Sequence, residues 1–421
     1  MSYYGLKGSS LKIIEPEVMA CNLPLRLDPY LSCAHNCTYC YARSQKTFRR
    51  LWKPDAVKSI DTSRLERHIS KVLKSPKPPP NSLDRALWYR FPIRIGTDTD
   101  AFQPCERQSM VTKRILEILN RYSYPYIINT KSDMVAEDEY MHLLKNSPAG
   151  AVVQFTVISL DEELIKKIEP GAPPIGKRLE AMRILASNNI YIQTRVSPII
   201  PELTDRLEDM HELFRTLKKA GTRDIIVEYL RYSIGNMANP FIREWMSSAL
   251  QVQPTYIDEI YSRAYRECSK TFPDCCRRNR ARFGCEWDGR PKVKSGYIRM
   301  PLRLKLEKYR KFKSEAEKVG LRLYVCSEEF PEINECVNCC GIKGAEARRY
   351  LRFKYDNEAC ANTLPCFIRD KKDVSLDDVL ESMFSIDKNI FEKQFANLDK
   401  YLVNVKKTPS GKWVYDENFP I

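Results

Sequence analysis

The spacing of apolar positions changes repeatedly along this chain. Short β-branched and aliphatic runs alternate with stretches whose apolar residues recur every three or four positions. The runs predict strands at Leu25–Ser32, Ile93–Thr97, Tyr126–Thr130, Val152–Ile158, Ile190–Val196, Asp224–Tyr229 and Leu321–Cys326. The stretches between them predict amphipathic helices. Val111, Ile115, Ile118 and Leu119 share one helical face, and Leu179, Met182, Leu185 and Ala186 another. Leu207, Met210, Leu213, Phe214 and Leu217 share a third, with Gly221 as a stop signal.

Short apolar strands alternating with helices predict an α/β fold around a parallel sheet. Six or seven such units favour a partial or near-complete parallel (β/α) barrel over a doubly wound sheet. Barrels keep their chemistry at the C-terminal ends of the strands. Ser75–Pro80 has four prolines in six residues and reads as a stiff surface linker. From about Arg231 the alternation becomes irregular. Residues 1–230 are therefore expected to form the barrel core. Residues 231–340 form a basic, cysteine-rich region that completes the barrel and contains any auxiliary metal site. Residues 341–421 read as a helical appendage.

Composition narrows the function class. Of 421 residues, 43% are hydrophobic, which excludes a largely disordered chain. No run of about 18 apolar residues predicts a membrane span. Met1–Ser10 has no apolar signal-peptide core, so a cytoplasmic location is expected. In that compartment the fifteen cysteines point to metal or cluster ligation over a disulfide framework. The histidines number four and are scattered, so the ligands are expected to be thiolates, which suit iron–sulfur clusters or zinc. A formal net charge of +15 favours a polyanionic partner, with DNA or RNA first.

The sharpest motif follows the first strand: Cys33-Ala-His-Asn-Cys37-Thr-Tyr-Cys40-Tyr-Ala-Arg43. Three thiolates in one short loop can hold three corners of an iron–sulfur cubane and leave the fourth iron open for a ligand. A structural zinc site closes four ligands, commonly from two separated Cys-x-x-Cys pairs, and fits this loop poorly.

Cys-x3-Cys-x2-Cys with Tyr39 before the last cysteine resembles the radical S-adenosylmethionine (SAM) superfamily. Cys33 to Arg43 is similar to the cluster loop of its spore photoproduct lyase-like group, which acts in DNA repair. Gly96-Thr-Asp-Thr-Asp100, Phe102-Gln-Pro104, Thr130-Lys-Ser132, Glu169-Pro170, Arg178-Leu-Glu-Ala181 and Pro198-Ile-Ile-Pro201 also resemble that group. The likeness covers roughly residues 20–230. It implies a [4Fe–4S] cluster on Cys33, Cys37 and Cys40 whose open iron binds SAM. Reductive cleavage of SAM would yield a 5′-deoxyadenosyl radical that abstracts hydrogen from substrate. An electron donor such as ferredoxin or flavodoxin is implied as a partner. By the same resemblance Tyr39, Tyr41, Thr99, Asp100, Lys131, Thr156 and Arg195 border SAM. Thr97 stands where the lyases carry a hydrogen-donor cysteine, so Cys105 and Glu228 become the catalytic candidates, and lyase or oxidoreductase chemistry both stay open.

Ten further cysteines follow residue 267. Cys336, Cys339 and Cys340 have ligand spacing, and Cys326 ends the last expected strand. They suggest a second iron–sulfur cluster, zinc, or buried thiols. The segment Cys276–Lys313 carries fourteen lysines and arginines against three acidic residues. Arg277, Arg278, Arg280 and Arg282 open it, and Phe283, Trp287, Tyr297, Tyr309 and Phe312 are interleaved, a composition suited to phosphates and stacked bases. The expected function is radical SAM chemistry on a nucleic acid or nucleotide, in repair or modification. One rival is a radical SAM enzyme acting on a peptide or small molecule with an auxiliary cluster. The other is a non-catalytic, metal-stabilised nucleic-acid-binding protein. Neither substrate identity nor oligomeric state is specified by these features.

Overall fold

A computed structural model describes residues 3–5, 11–14, 25–48, 51–234, 241–273 and 296–326. Short further pieces are described at 330, 333–334, 368, 371, 373–378, 395–398 and 405–416.

The core is one sheet. Strands β3 (Leu25–Leu27), β4 (Ile93–Ile95), β5 (Tyr126–Thr130), β6 (Ala151–Thr156), β7 (Tyr191–Ile199) and β8 (Asp224–Tyr229) pair in parallel, each with the next in sequence. After β9 (Tyr232–Ile234) and β10 (Gly296–Ile298), which form their own antiparallel pair, β11 (Arg322–Val325) joins β8 in parallel. Seven parallel strands in sequence order are the winding of a (β/α) barrel; a doubly wound sheet reverses direction at its centre. The barrel is partial. On the edge of β3 lies an antiparallel pair, β1 (Tyr3–Gly5) and β2 (Leu11–Ile14), where a closing strand would sit.

All seven expected strands are present. The first ends early, at Leu27, because Asp28 turns its carboxylate to the backbone amides of Thr97, Asp98 and Thr99 at 2.8, 2.7 and 3.2 Å. The second ends at Ile95 because Gly96 takes φ +81°, and a side chain there would meet the Asn129 carbonyl at 2.5 Å. The three expected helical faces are buried on helices Val111–Arg121, Ile175–Ser187 and Leu207–Lys219, except that Ala186 and Leu207 are only half-buried.

Region 296–326 is continuous with the barrel. Helix Leu302–Lys318 packs on helix Leu207–Lys219 and β11, and the Tyr309 hydroxyl accepts from the Tyr229 amide at 3.1 Å. Beyond residue 341 most of the expected helical appendage lies outside the described residues. The described pieces include an antiparallel hairpin, β12 (Val405–Lys407) with β13 (Trp413–Tyr415), turned by Gly411 at φ +82°. Val405 and Trp413 are buried at the start of the two strands, while Lys406 and Lys407 are exposed. Among the described residues no helix is long and apolar enough to cross a membrane.

Candidate metal centre and barrel mouth

The loop after β3 places Cys33, Cys37 and Cys40 at the C-terminal end of the first parallel strand. Cys33 and Cys37 are buried and Cys40 is half-buried. Asn36 adopts φ 56°, which turns the chain tightly between the first two cysteines. The loop is tied to its surroundings through its backbone. The Ala34 amide donates to Gln103 Oε1 at 2.8 Å, and Gln103 Nε2 donates to the Ser32 carbonyl at 2.9 Å. The Thr38 amide donates to the Ile168 carbonyl at 2.9 Å, and the Gly171 amide to the His35 carbonyl at 3.0 Å. Gly171 is required at that contact: a Cβ would stand 2.3 Å from the Ala34 carbonyl oxygen.

Beneath the loop lies a buried charge network. Tyr39 donates its hydroxyl to Glu169, whose carboxylate also contacts Arg178 Nη2 at 2.6 Å. Arg178 donates further to the carbonyls of Pro173 and Thr156 at 2.8 and 3.1 Å. Burial would raise the Glu169 carboxyl, but Arg178 and Lys131 hold it below its ordinary value. The Lys131 ammonium sits 5.7 Å over the Tyr39 ring. Burial alone would lower it, yet Cys37 and Glu169 carry it above the usual value.

The cysteines respond to the same surroundings. Burial pushes the Cys37 thiol up to about 12, with Lys131 opposing. Burial and Asp100 raise Cys33, and burial raises Cys40. Among the described residues no three His, Cys, Asp or Glu side chains converge on a single metal ion. The three ligands of a cubane need not do so, because each binds a different iron. The six cysteines among the described residues form no disulfide.

The other expected SAM-side residues fall on the cluster loop's following helix, Tyr41–Phe48, and at or just past strand ends. Tyr41 is exposed and donates to the Thr97 carbonyl at 3.1 Å and Asp98 Oδ1 at 3.0 Å. Thr99 is buried and donates to the Tyr30 carbonyl at 3.1 Å. Asp100 ties two strand ends together: it accepts from the Phe102 amide, Thr130 Oγ1 and the Lys131 amide at 2.9, 2.7 and 2.7 Å. Its Oδ2 also stands 3.5 Å from His35 Nδ1, and burial lowers that imidazole toward its neutral form. Thr97 donates Oγ1 to Asp28 at 3.1 Å.

At the far side of the sheet residues of three more strands come together. Arg195 on β7 donates Nη2 to Cys326 Sγ, just past β11, at 3.4 Å and stands 4.0 Å from Glu228 on β8. Burial and Cys326 raise Glu228 to about 7. Cys105 is elsewhere, half-buried beside Tyr30 and Glu106, with burial raising it to about 11.

The sequence reading passed over a row of polar residues inside the sheet. In register across five strands stand Asn129, Gln154, Gln193, Asp224 and Arg322. Gln154 donates to Gln193 at 2.7 Å, Gln193 to Asp224 at 2.9 Å, and Arg322 to Asp224 at 2.7 Å. By strand alternation Thr156, Arg195, Glu228 and Cys326 share that face. The clearest signal was Gln154, a single polar residue inside an apolar run, Val153-Gln154-Phe155.

Other expected residues lie outside the described ones: Cys336, Cys339, Cys340, Arg277, Arg278, Arg280 and Arg282. The interleaved aromatics need correction where they are described. Tyr309 and Phe312 are buried in the core, with Tyr309 against Tyr229 and Phe330. They are unavailable for stacking on bases. Several charges on that helix are paired internally: Lys308 with Asp205 at 2.6 Å, and Arg303 and Arg310 with Glu307 at 3.0 and 3.2 Å.

No family model matches the chain. An uncharacterized protein of Methanocaldococcus jannaschii is 28% identical over 179 residues, 42% of this chain and 61% of that protein. One of Mycobacterium tuberculosis is 26% identical over 213 residues, 49% of this chain and 59% of that protein. The chain thus spans about six tenths of the length of these relatives. Among solved structures, a spore photoproduct lyase variant aligns with TM-score 0.49 and 17% identity over 76% of this chain and 79% of its own. Another, with bound AdoMet and dinucleoside spore photoproduct, aligns with TM-score 0.48 and 16% identity over 72% and 76%. Streptococcus suis SuiB bound to S-adenosylmethionine aligns with TM-score 0.37 and 11% identity over 57% and 53%.

Proposed function

We propose that this chain is a radical SAM enzyme whose Cys33, Cys37 and Cys40 hold a [4Fe–4S] cluster. The observation that carries the reading is a three-thiol loop at the C-terminal end of the first of seven parallel strands, the end where barrels do chemistry. The donor set suits the group: three soft ligands, with Lys131 and Arg178 among the cations bearing on them. His35, the histidine within the loop, is turned toward Asp100, which favours an open fourth iron over a closed four-ligand zinc site. When bound, the cluster and SAM supply one-electron cleavage and a carbon radical for hydrogen abstraction.

The chain's own residues bind and orient. Tyr41 and Lys131 flank the cluster loop on the SAM side. Asp100 and Asp28 work through the backbone, fixing the strand ends that shape the pocket. Arg195, Glu228 and Cys326 face the mouth from the far strands and are the substrate-side groups of this reading. The six cysteines among the described residues are free thiols, which suits the reducing cytoplasm of this reading, with a one-electron donor protein as partner.

The substrate class we propose is a nucleic acid or nucleotide, supported by the net charge of +15 and the basic segment 276–313. The test is anaerobic incubation of reconstituted protein with SAM and a reductant. 5′-Deoxyadenosine should form, and its yield should rise with DNA or RNA. A cluster-loaded protein that forms none overturns the reading.

A further inference from the structure

Arg43 follows the last cysteine of the loop by three residues, and its side chain folds back onto the loop. Its Nη1 donates to the Asn36 carbonyl at 2.7 Å and lies 3.5 Å from the Cys37 carbonyl. Its backbone amide donates to Cys40 Sγ at 3.3 Å. The outer face of the guanidinium is covered by Trp245, with the Arg43 carbon 3.6 Å from the ring centroid. Trp245 belongs to helix Phe241–Leu250, far along the chain, and stacks on Phe241 at 5.2 Å with rings 11° apart. The helix is anchored by buried Ile242 and Met246. A planar cation gripped between backbone carbonyls and an indole face is held in place on both sides.

We propose that Arg43, clamped by Trp245, is a positioning residue for the cluster. It fixes the Asn36–Cys40 turn and supplies a fixed positive charge beside Cys37 and Cys40. This rests on the reading that those cysteines hold a cluster. Two consequences differ in kind. Loss of the clamp loosens the loop, so iron leaves faster. Loss of the charge makes gain of an electron less favourable, so the cluster's midpoint potential becomes more negative.

Arg43→Met, Arg43→Lys and Trp245→Leu separate these effects. Each protein is reconstituted anaerobically, then followed by iron release to a ferrous chelator and by a redox titration. Arg43→Met should release iron ~10-fold faster or more, the cost typical of removing a group that orients a ligand. It should also titrate at a more negative potential. Arg43→Lys keeps the charge without the fork, so it should release iron faster with the potential nearly unchanged. Trp245→Leu should behave like Arg43→Lys. If Arg43→Met fails to fold, Arg43→Lys and Trp245→Leu decide the question through iron release. Wild-type iron release in Trp245→Leu and both Arg43 variants overturns the proposal. A wild-type protein that takes up no cluster overturns the parent reading instead.

Discussion

Glu169 and Arg178 meet at 2.6 Å with neither side chain exposed to solvent, and Tyr39 of the cluster loop donates to the same carboxylate. A buried pair of this kind costs much desolvation, so its weight shows when one partner is removed. Arg178→Met leaves the Glu169 carboxylate buried without its main partner and should cost about 3–5 kcal/mol of stability. The pH dependence has a definite sign. Glu169 is held below its ordinary value, so its contribution is present above pH ~4.3 and is lost as pH falls through the folded-state value. Denaturant unfolding of wild type and Glu169→Gln at pH 7 and pH 3.5 checks this. The wild-type advantage should be large at pH 7 and shrink in acid.

Gly171 gives a more local handle on the loop. A methyl group there would stand 2.3 Å from the Ala34 carbonyl, backbone against backbone. Gly171→Ala should therefore cost about 1–3 kcal/mol and displace the turn between Cys33 and Cys37. After reconstitution it should retain less iron than wild type. Equal iron content and equal stability would show that the loop accommodates the methyl group.

Glu228 carries the opposite pH signature to Glu169. Its folded value is about 7, raised by burial and by Cys326. An unfolded carboxyl loses its proton near pH ~4.3. The folded protein therefore loses stability as pH rises from that value through about 7. Glu228→Gln removes this penalty and should be more stable than wild type at pH 8 by roughly 3–4 kcal/mol, with little difference at pH 4. Paired thermal melts across that range read the crossing directly.

The fold was legible where local pattern suffices. Seven β-branched runs named seven strands, and three apolar faces named three helices. What escaped depends on distant partners. Leu25–Ser32 looks like one long strand until Asp28 meets the amides of Thr97, Asp98 and Thr99. The β1–β2 pair was missed because runs of three or four residues give no period to read. In the site, cysteine spacing singled out the loop, but not the groups that grip it. Glu169 and Arg178 were noticed only as pieces of a resemblance, and their ion pair belongs to tertiary structure alone. The aromatic and basic run around Tyr309 was misread for a physical reason. A core helix with a charged outer face has the same composition as a nucleic-acid-binding stretch, and only its spacing separates them: Leu302, Leu306, Tyr309, Phe312 and Ala316 fall on the buried side.

The thiols themselves give the plainest test. Replacing Cys33, Cys37 and Cys40 together with Ala should abolish the cluster's absorbance and all SAM cleavage. Iron and sulfide are measured in wild type and in the triple variant. Iron that persists in the variant belongs to a second site, which the ten cysteines after residue 267 motivate. Zinc in its place marks a structural site, and an iron-free variant removes the auxiliary cluster.

The remaining prediction concerns the substrate. On helix Leu302–Lys318 the bases Arg303, Lys308 and Arg310 have acidic partners, so they hold less charge in reserve for a polyanion than their number suggests. Nucleic-acid contact from the basic segment then falls to its other bases, with Arg277, Arg278, Arg280 and Arg282 the densest group. Binding to duplex DNA should weaken with salt, each neutralised phosphate adding about −0.9 to the slope of log K against log salt. Reversing the four arginines to Glu should lower affinity and flatten that slope, while iron content stays at the wild-type level because none of the four is a ligand. Reversing Arg303 and Arg310 instead should cost stability through repulsion at Glu307 and change the slope little. A wild-type protein with no salt-dependent binding to single- or double-stranded DNA or RNA removes the physical basis for a polymeric substrate. A mononucleotide or short peptide would then fit better, since either releases far fewer counterions than a polymer and still suits an arginine at the barrel mouth such as Arg195.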